Sequence, residues 1–298
     1  MTARVPAKVN LQLSVGPVRK DGYHELVTVF HAVSLVDEVT VRASKSPGVH
    51  LTMSGPGTDD LPVDDTNLAV KAALLLAEHA DVEPAIDMHV RKAIPVAGGM
   101  AGGSADAAGA LVACDAFWRA DTSRADLDAL AARLGSDVTF ALHGGTAIGT
   151  GRGEAITPVL ARGHFSWVFA LADGGLSTPA VYRECDRLRE GRPVREPYVS
   201  ELLMQALRAG DPVLLGKALA NDLQPAALSL RPALARVLDL ADDAGALGAI
   251  VSGSGPTCAL LARDPEHALD LAVALTSAQV CRTVVRAEGP VPGARVVG

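Results

Sequence analysis

The residues of this chain best placed to do chemistry lie between Pro95 and Trp118, in PVAGGMAGGSADAAGALVACDAFW. Gly98, Gly99, Gly102, Gly103 and Ser104 run straight into a segment with helical character. A glycine-rich loop that opens a helix is an anion trap. The free N–H groups of the first turn point toward the loop, and the helix dipole adds partial positive charge there. Glycine reaches φ > 0 and lets a phosphate approach without meeting a Cβ. The loop points to a bound nucleotide phosphate. As residues alone it also fits a plain turn between a strand and a buried helix.

Two better-known phosphate loops are excluded. No G-x-x-x-x-G-K-[ST] occurs, which argues against a P-loop NTPase. Gly98 to Gly103 does not read G-x-G-x-x-G, so the dinucleotide fingerprint fails as well. His24-Glu25 is not followed by the second histidine of a zinc-protease motif, and Gly253-Ser254-Gly255 lacks the spacing of a nucleophile elbow.

The elements that must position this loop follow from periodicity. Val9 to Val15 alternates as a strand, with Leu11, Leu13 and Val15 on one face. Leu26 to Val41 holds two further β-prone runs, broken near Asp37-Glu38. Thr66 or Asn67 caps a helix through Ala80. Ile86 to Lys92 alternates cleanly and Pro95 ends it. Ser123 to Asp126 resembles a capping box for a helix ending at Gly135. Gly144 to Gly153 is a glycine-rich strand with turns.

After Pro158 the pattern begins again. Phe165 to Ala172 reads as a strand, and three or four helical segments follow between Thr178 and Ala244. Gly248–Ser252 and Cys258–Ala262 are short strands joined by a turn. Pro265 to Ala278 is a helix and Val280 to Ala287 a last strand. The mixture is α+β with strands in separate groups. It predicts two domains, 1–158 and 159–298, with the boundary near residues 155–163.

Composition bounds the partners. The net charge of −7 argues against a nucleic-acid binder, which needs a basic face, but not against a nucleotide held by backbone N–H groups. Aromatics are only 3%, so alanine, valine and leucine must fill the core. Cys114, Cys185, Cys258 and Cys281 are scattered with no C-x-x-C, and three of the four sit in apolar or helical surroundings, as reduced buried thiols do. No signal peptide and no membrane-spanning apolar run is visible, so a soluble cytoplasmic protein is expected. Oligomeric state has no signature here.

Three stretches read together say more. Val5-Pro6-Ala7-Lys8-Val9-Asn10-Leu11, the glycine loop, and Gly253-Ser254-Gly255-Pro256-Thr257 occur in that order. The trio resembles the GHMP kinase superfamily through essentially the whole chain. The resemblance implies a two-domain fold: an N-terminal α+β domain like ribosomal protein S5 domain 2 and a C-terminal ferredoxin-like α+β domain. RKDGYHELVTVF (Arg19 to Phe30), LGSDVTFALHGGTAIGTGRGE and IVSGSGPTCALL narrow it to one branch. Asp21-Gly22-Tyr23-His24-Glu25 is the most specific piece. That branch uses ATP to phosphorylate the 2-hydroxyl of a cytidine-diphosphate derivative of methylerythritol, in the non-mevalonate route to isoprenoids.

The resemblance also assigns roles. It makes Asp137 the catalytic base and Lys8 its partner, orienting the carboxylate and offsetting charge on the transferring phosphoryl group. A carboxylate at a helix start is favoured in its charged form. Pro95, Val96, Ala97, Gly98, Gly99, Met100, Ala101, Gly102, Gly103, Ser104 and Ala105 would wrap the ATP phosphates. Ala105 stands where the family's loop often carries a second hydroxyl, which removes a side-chain contact but leaves the backbone N–H groups. Asp106, in the first turn, suits the helix dipole. Asn10, Tyr23, His24, Thr178 and Tyr182 would bind substrate, the rings stacking on the base. Mg²⁺ would arrive with ATP, held largely by phosphate and water; the metal ligands themselves are not legible.

Each residue has a plainer reading. Asp137 fits a capping residue, Lys8 a solvated strand end, Asp21-Gly22 a hairpin turn, and Tyr182 a helix-packing ring. Other readings of the whole keep the superfamily with a homoserine- or mevalonate-type substrate, or make the chain a non-catalytic ligand sensor. A non-kinase nucleotide-binding module would need the glycine loop alone.

Overall fold

The structure is a computed structural model and describes every residue except Ala97 and Gly298. The chain begins with two long strands, β1 (Thr2–Val18) and β2 (His24–Ala43), then β3 (Gly48–Ser54), α1 (Leu68–His79) and β4 (Ala85–Arg91). The glycine loop leads into α2 (Gly102–Trp118), followed by α3 (Arg124–Leu134), α4 (Ser136–His143), β5 (Thr146–Gly151) and β6 (Ala155–Pro158). Next come β7 (Phe165–Leu171), α5 (Thr178–Arg189), α6 (Glu201–Ala209), α7 (Pro212–Ala218), β8 (Ala220–Asn221), α8 (Gln224–Leu230) and α9 (Ala233–Asp243). The chain ends with β9 (Gly248–Val251), β10 (Cys258–Ala262), α10 (Pro265–Ala278), β11 (Thr283–Gly289) and β12 (Arg295–Val297).

The strands form two sheets, as the separated groups in the sequence predict. The first runs β12-β1-β2-β4-β3, with β5 on β2, β6 on β5 and β8 on β1. The second is antiparallel in the order β11-β7-β10-β9. Two short strands from the later half return to the first sheet: β12 lies antiparallel to the start of β1, and β8 lies parallel to its middle.

β1 shows how the alternation positions a site. Val5, Ala7, Val9 and Leu11 are fully buried in the main core beside α1 and α2. Lys8 and Asn10 face the other way, and a bulge between Asn10 and Gln12 then flips the strand, so that Leu13 and Val15, rather than Gln12 and Ser14, continue the face of Lys8 and Asn10. Leu11 therefore does not share a face with Leu13 and Val15, although the simple alternation predicts that it does. α2 settles close to the sheet because position 109 is glycine. A Cβ there would lie 2.6 Å from Val39 Cγ2. Glycine costs a helix interior about 1 kcal/mol relative to alanine, and here it allows the close approach that fixes the glycine loop over β1. β7 is buried on both faces. Phe165, Trp167 and Phe169 join the main core, while Val168 and Ala170 pack toward α9 and α10.

Several expectations need correction. β2 is not broken at Asp37-Glu38. Asp37 points into the protein, where Lys92 and the Ala93 and Ile94 N–H groups satisfy it, and Glu38 sits outside between Arg4 and Arg91. The irregularity is a bulge: Pro6 pairs with Val36 but Ala7 pairs with Val33. Of the two caps the sequence offers for α1, Asn67 is the one used, as expected, its side chain accepting from Ala69 N at 2.9 Å. Five helices, not three or four, lie between Thr178 and Ala244. The strands β3, β8 and β12 had no clear signal.

The Ser123 cap holds as expected, with Asp126 N donating to Ser123 Oγ at 3.1 Å. Cys114, Cys185 and Cys258 are buried and Cys281 half-buried, all as free thiols. Among the described residues no helix is long and apolar enough to cross a membrane.

Candidate active site

Lys8 is held on the polar face of β1. Its ammonium donates to Asn10 Oδ1 at 2.7 Å, and Asn10 Nδ2 donates to Thr28 Oγ1 at 2.7 Å. The Thr28 hydroxyl in turn donates to the Gln12 carbonyl at 2.9 Å. This relay locks Lys8 and Asn10 in one orientation. The Lys8 ammonium also lies 5.6 Å from the centre of the Phe30 ring. Asp137 approaches from the first turn of α4, with its Oδ2 3.6 Å from Lys8 Nζ. Its side chain is 30% exposed against 8% for Lys8, so the carboxylate faces open space while the cation behind it does not.

The glycine loop closes over the same place. Gly99 has φ +72° and Ala101 φ +60°, both left-handed, and α2 begins at the next residue. Strand β1 carries the loop directly, since Lys8 N donates to the Met100 carbonyl at 3.4 Å. The C-terminal turn packs on it from the other side. Ser252 Oγ donates to the Gly99 carbonyl at 3.1 Å, and a Cβ on Gly99 would lie 2.3 Å from the Ser252 carbonyl. Asn221 holds that turn by donating to the Val251 and Gly253 carbonyls at 2.8 and 2.7 Å. Of the loop residues singled out in the sequence, Ala97 lies outside the described residues. Gly98, Gly99, Ala101, Gly102, Gly103 and Ser104 line a cavity of about 510 Å³, together with Lys8, Asn10 and Asp137.

Asp106 departs from its expected place. It falls just beyond the first turn of α2, and its carboxylate turns inward to Lys92 Nζ at 2.7 Å.

A second cavity of about 660 Å³ adjoins the first. Tyr23, His24, Thr178 and Tyr182 all line it, and Thr178 and Tyr182 line the first cavity too. The structure thus brings together the substrate residues expected from the sequence. His24 packs on Tyr182 with ring centres 5.1 Å apart, and its Nε2 lies 2.8 Å from Asp186 Oδ1. Burial, and then the charge of Asp137, push the Tyr182 phenol up from its ordinary value. Tyr23 is 56% exposed, and the Arg152 guanidinium sits 5.0 Å from its ring centre. Thr178 Oγ1 meets Ser254 Oγ at 2.9 Å, joining the start of α5 to the C-terminal turn.

Sequence reasoning missed Thr28, Arg152 and Asn221. Thr28 and Asn221 act only through partners far away in the chain. Arg152 did carry a signal: it stands in a tight Gly-Arg-Gly turn, a long cation between two glycines. It is the one charged side chain among the described residues that lines both cavities.

Known proteins share this architecture. The GHMP kinases N terminal domain matches residues 67–145, and the GHMP kinases C terminal domain matches residues 203–280. The chain is 59% identical over its whole length to the 4-diphosphocytidyl-2-C-methyl-D-erythritol kinase of Thermobifida fusca, covering 98% of that protein. Identity is also 59% to the kinase of the same name from Mycobacterium tuberculosis, over all of this chain and 93% of the relative. A crystal structure of 4-(cytidine 5'-diphospho)-2C-methyl-D-erythritol kinase superposes with a TM-score of 0.78 at 34% identity, covering 97% of this chain and 98% of that one. Likeness at this level over the full length makes the chain a GHMP kinase, a member of the 4-diphosphocytidyl-2-C-methyl-D-erythritol kinase family.

Proposed function

We propose that this kinase transfers the γ-phosphoryl group of ATP to the 2-hydroxyl of 4-diphosphocytidyl-2-C-methyl-D-erythritol, a step of the non-mevalonate isoprenoid route, in the cytoplasm. The observation that carries this reading is the pair of adjoining cavities. One holds the glycine loop, Lys8 and Asp137; the other is lined by rings and polar side chains. A homoserine- or mevalonate-sized substrate fills the first and has no use for the second. A substrate with a nucleoside at one end and a polyol at the other uses both.

Asp137 then takes the proton of the 2-hydroxyl as the oxygen attacks the γ-phosphorus and the bond to the β-phosphate oxygen breaks. Lys8 orients the carboxylate and offsets charge on the phosphoryl group in flight. The loop from Pro95 to Ala105 wraps the phosphates, which are held by N–H groups between Gly98 and Ser104, the part of the loop that lines the cavity. Asn10 binds the substrate polyol beside Lys8. Tyr23 and Tyr182 stack on the cytosine. His24, anchored through Nε2 by Asp186, meets the base edge. Arg152, at the junction, is placed for the diphosphate that must cross from one cavity to the other.

Mg²⁺ would enter with the nucleotide and neutralise charge on its phosphate oxygens. Among the described residues no group of three or more His, Cys, Asp or Glu side chains could hold a metal, and Asp137 is the carboxylate that lines the first cavity. That donor set fits a cation bound mainly by phosphate and water. Residues 1–158 would carry the ATP loop and the base, and 159–298 would close the site with the Ser252–Thr257 turn and α5.

ATP consumption with the cytidine substrate, homoserine and mevalonate, compared under the same conditions, tests the reading. Turnover confined to the cytidine compound is expected. Comparable turnover of homoserine or of mevalonate overturns it.

A further inference from the structure

Beneath the glycine loop lies a buried cluster that the chemistry above does not use. Asp37, Lys92 and Asp106 are all at least nine-tenths buried. The Lys92 ammonium donates to Asp37 Oδ2 at 2.5 Å, to Asp106 Oδ2 at 2.7 Å and to the Gly102 carbonyl at 3.2 Å. Its three hydrogens are therefore all engaged, one of them on the residue that opens α2. Asp37 Oδ1 accepts from the Ala93 and Ile94 N–H groups at 2.6 and 2.8 Å, so that carboxylate is saturated with donors. Asp106 is not. Its Oδ1 has no hydrogen-bond partner.

One ammonium thus serves two carboxylates, leaving a surplus negative charge in a site almost closed to water. A buried oxygen with no donor is costly as part of a charged carboxylate and far less so as part of a neutral acid. We propose that Asp106 is the proton-accepting member of this cluster and couples it to nucleotide binding: phosphates arriving at the mouth of α2 draw a proton from solvent onto the Asp106 carboxyl, while Lys92 keeps its hold on Gly102. The proposal rests on the reading of the glycine loop as the ATP site. It makes Lys92 and Asp106 positioning residues for the loop, since neither lines the cavity.

The charges acting on Asp106 agree with this. Burial, together with the Asp37 charge, pushes its carboxyl up to about 8, against the opposing pull of Lys92. Bound phosphates add negative potential and raise its proton affinity further. By linkage, a proton taken up on binding means that affinity falls as pH rises through that range.

The test is calorimetry of MgATP binding to the whole protein without the second substrate, in buffers of different ionisation enthalpy. At about pH 8.5 the unaltered protein should take up roughly half a proton per nucleotide, and its affinity should weaken roughly five- to tenfold between about pH 7 and about pH 9.5. Asp106→Asn, which keeps the shape and cannot titrate, should show no such uptake and a flat affinity over the same range. Equal uptake by both proteins overturns the proposal while leaving the ATP reading intact. Failure of the unaltered protein to bind MgATP overturns both. Should the variant not fold, difference infrared spectra of the unaltered protein decide. A carboxylic-acid carbonyl band that grows when MgATP binds supports the proposal, and its absence overturns it.

Discussion

The Lys8 ammonium lies 3.6 Å from the Asp137 carboxylate but only 2.7 Å from Asn10 Oδ1. The longer distance matters. A lysine tied tightly to the aspartate would occupy the lone pairs needed to take a proton. Here Asn10 and Thr28 hold the lysine still, and the carboxylate feels its charge without being capped by it. Asp137 keeps an oxygen open to the cavity where a hydroxyl can meet it.

The first prediction follows from that spacing. Asp137→Asn and Lys8→Ala should each lower kcat roughly 10²–10⁴-fold, the usual scale of general-base and charge-stabilising contributions. The KM for ATP should change far less, because in the proposed function loop N–H groups hold the phosphates. Steady-state kinetics would check this. Either variant keeping more than about half of the original kcat would remove that residue from its assigned role.

A second prediction uses the loop's own geometry. Gly102 is a poor test position, since a Cβ there would lie 3.2 Å from Lys92 Nζ and its φ is not left-handed. Gly99 is worse, because any side chain would strike the Ser252 carbonyl. Gly103 is the clean one. It is exposed, and a Cβ would meet only Leu68 Cδ1 at an ordinary 3.8 Å. Gly103→Val should keep the melting temperature within a few degrees yet lose most of the stabilisation that ATP confers, as its branched side chain fills the phosphate approach. Undiminished ATP-induced stabilisation would show that the loop does not cradle the nucleotide.

These contrasts show which parts of the molecule were legible beforehand. Lys8, the glycine loop and Asp137 carry local patterns, and the strand alternation of β1 already put Lys8 and Asn10 on one face. Asp37 misled because a charge inside an apolar run looks like a break. Its partner, Lys92, stands at the far end of another strand, and nothing near Asp37 announces it. Arg152 differs: its Gly-Arg-Gly turn stands in the sequence, but that β5 and β6 carry it to the meeting of two cavities does not. β8 and β12 are two and three residues long, too short for any periodicity, and exist only because β1 offers them an edge.

A third prediction concerns acid stability. His31 is fully buried, and burial depresses its pKa from 6.5 to about 3. Nδ1 meets Thr146 Oγ1 at 2.9 Å, and a Cβ on Gly289 would lie only 2.5 Å from Nε2. A histidine with a lowered folded-state pKa is neutral in the fold but takes a proton when unfolded. Its contribution is complete above about pH 6.5 and is lost as pH falls toward about 3. His31→Gln should therefore flatten the acid limb of stability against pH across that window, with a difference on the order of a few kcal/mol at its lower end. Denaturant unfolding at several pH values would measure it. Parallel curves for the two proteins would refute the assignment.

The last prediction concerns substrate choice, where the second cavity makes its strongest claim. Tyr182 lines both cavities and packs on His24, which Asp186 holds in place. If that ring stacks on cytosine, the nucleoside end supplies binding energy far from the reacting hydroxyl. Stacking on an aromatic contributes roughly 1–3 kcal/mol per base. Tyr182→Ala should then lower kcat/KM for the cytidine substrate about tenfold or more, with ATP affinity nearly unchanged. Free methylerythritol phosphate, which lacks the base, should be a very poor substrate for the unaltered enzyme, because it leaves the second cavity empty and gives up the stack. It should also be nearly indifferent to Tyr182→Ala, since a ring with no base to hold has little left to contribute. Steady-state kinetics with both substrates and both proteins would decide. Comparable kcat/KM values for the two substrates would sink the cytidine-site assignment and return the smaller GHMP-kinase substrates to contention.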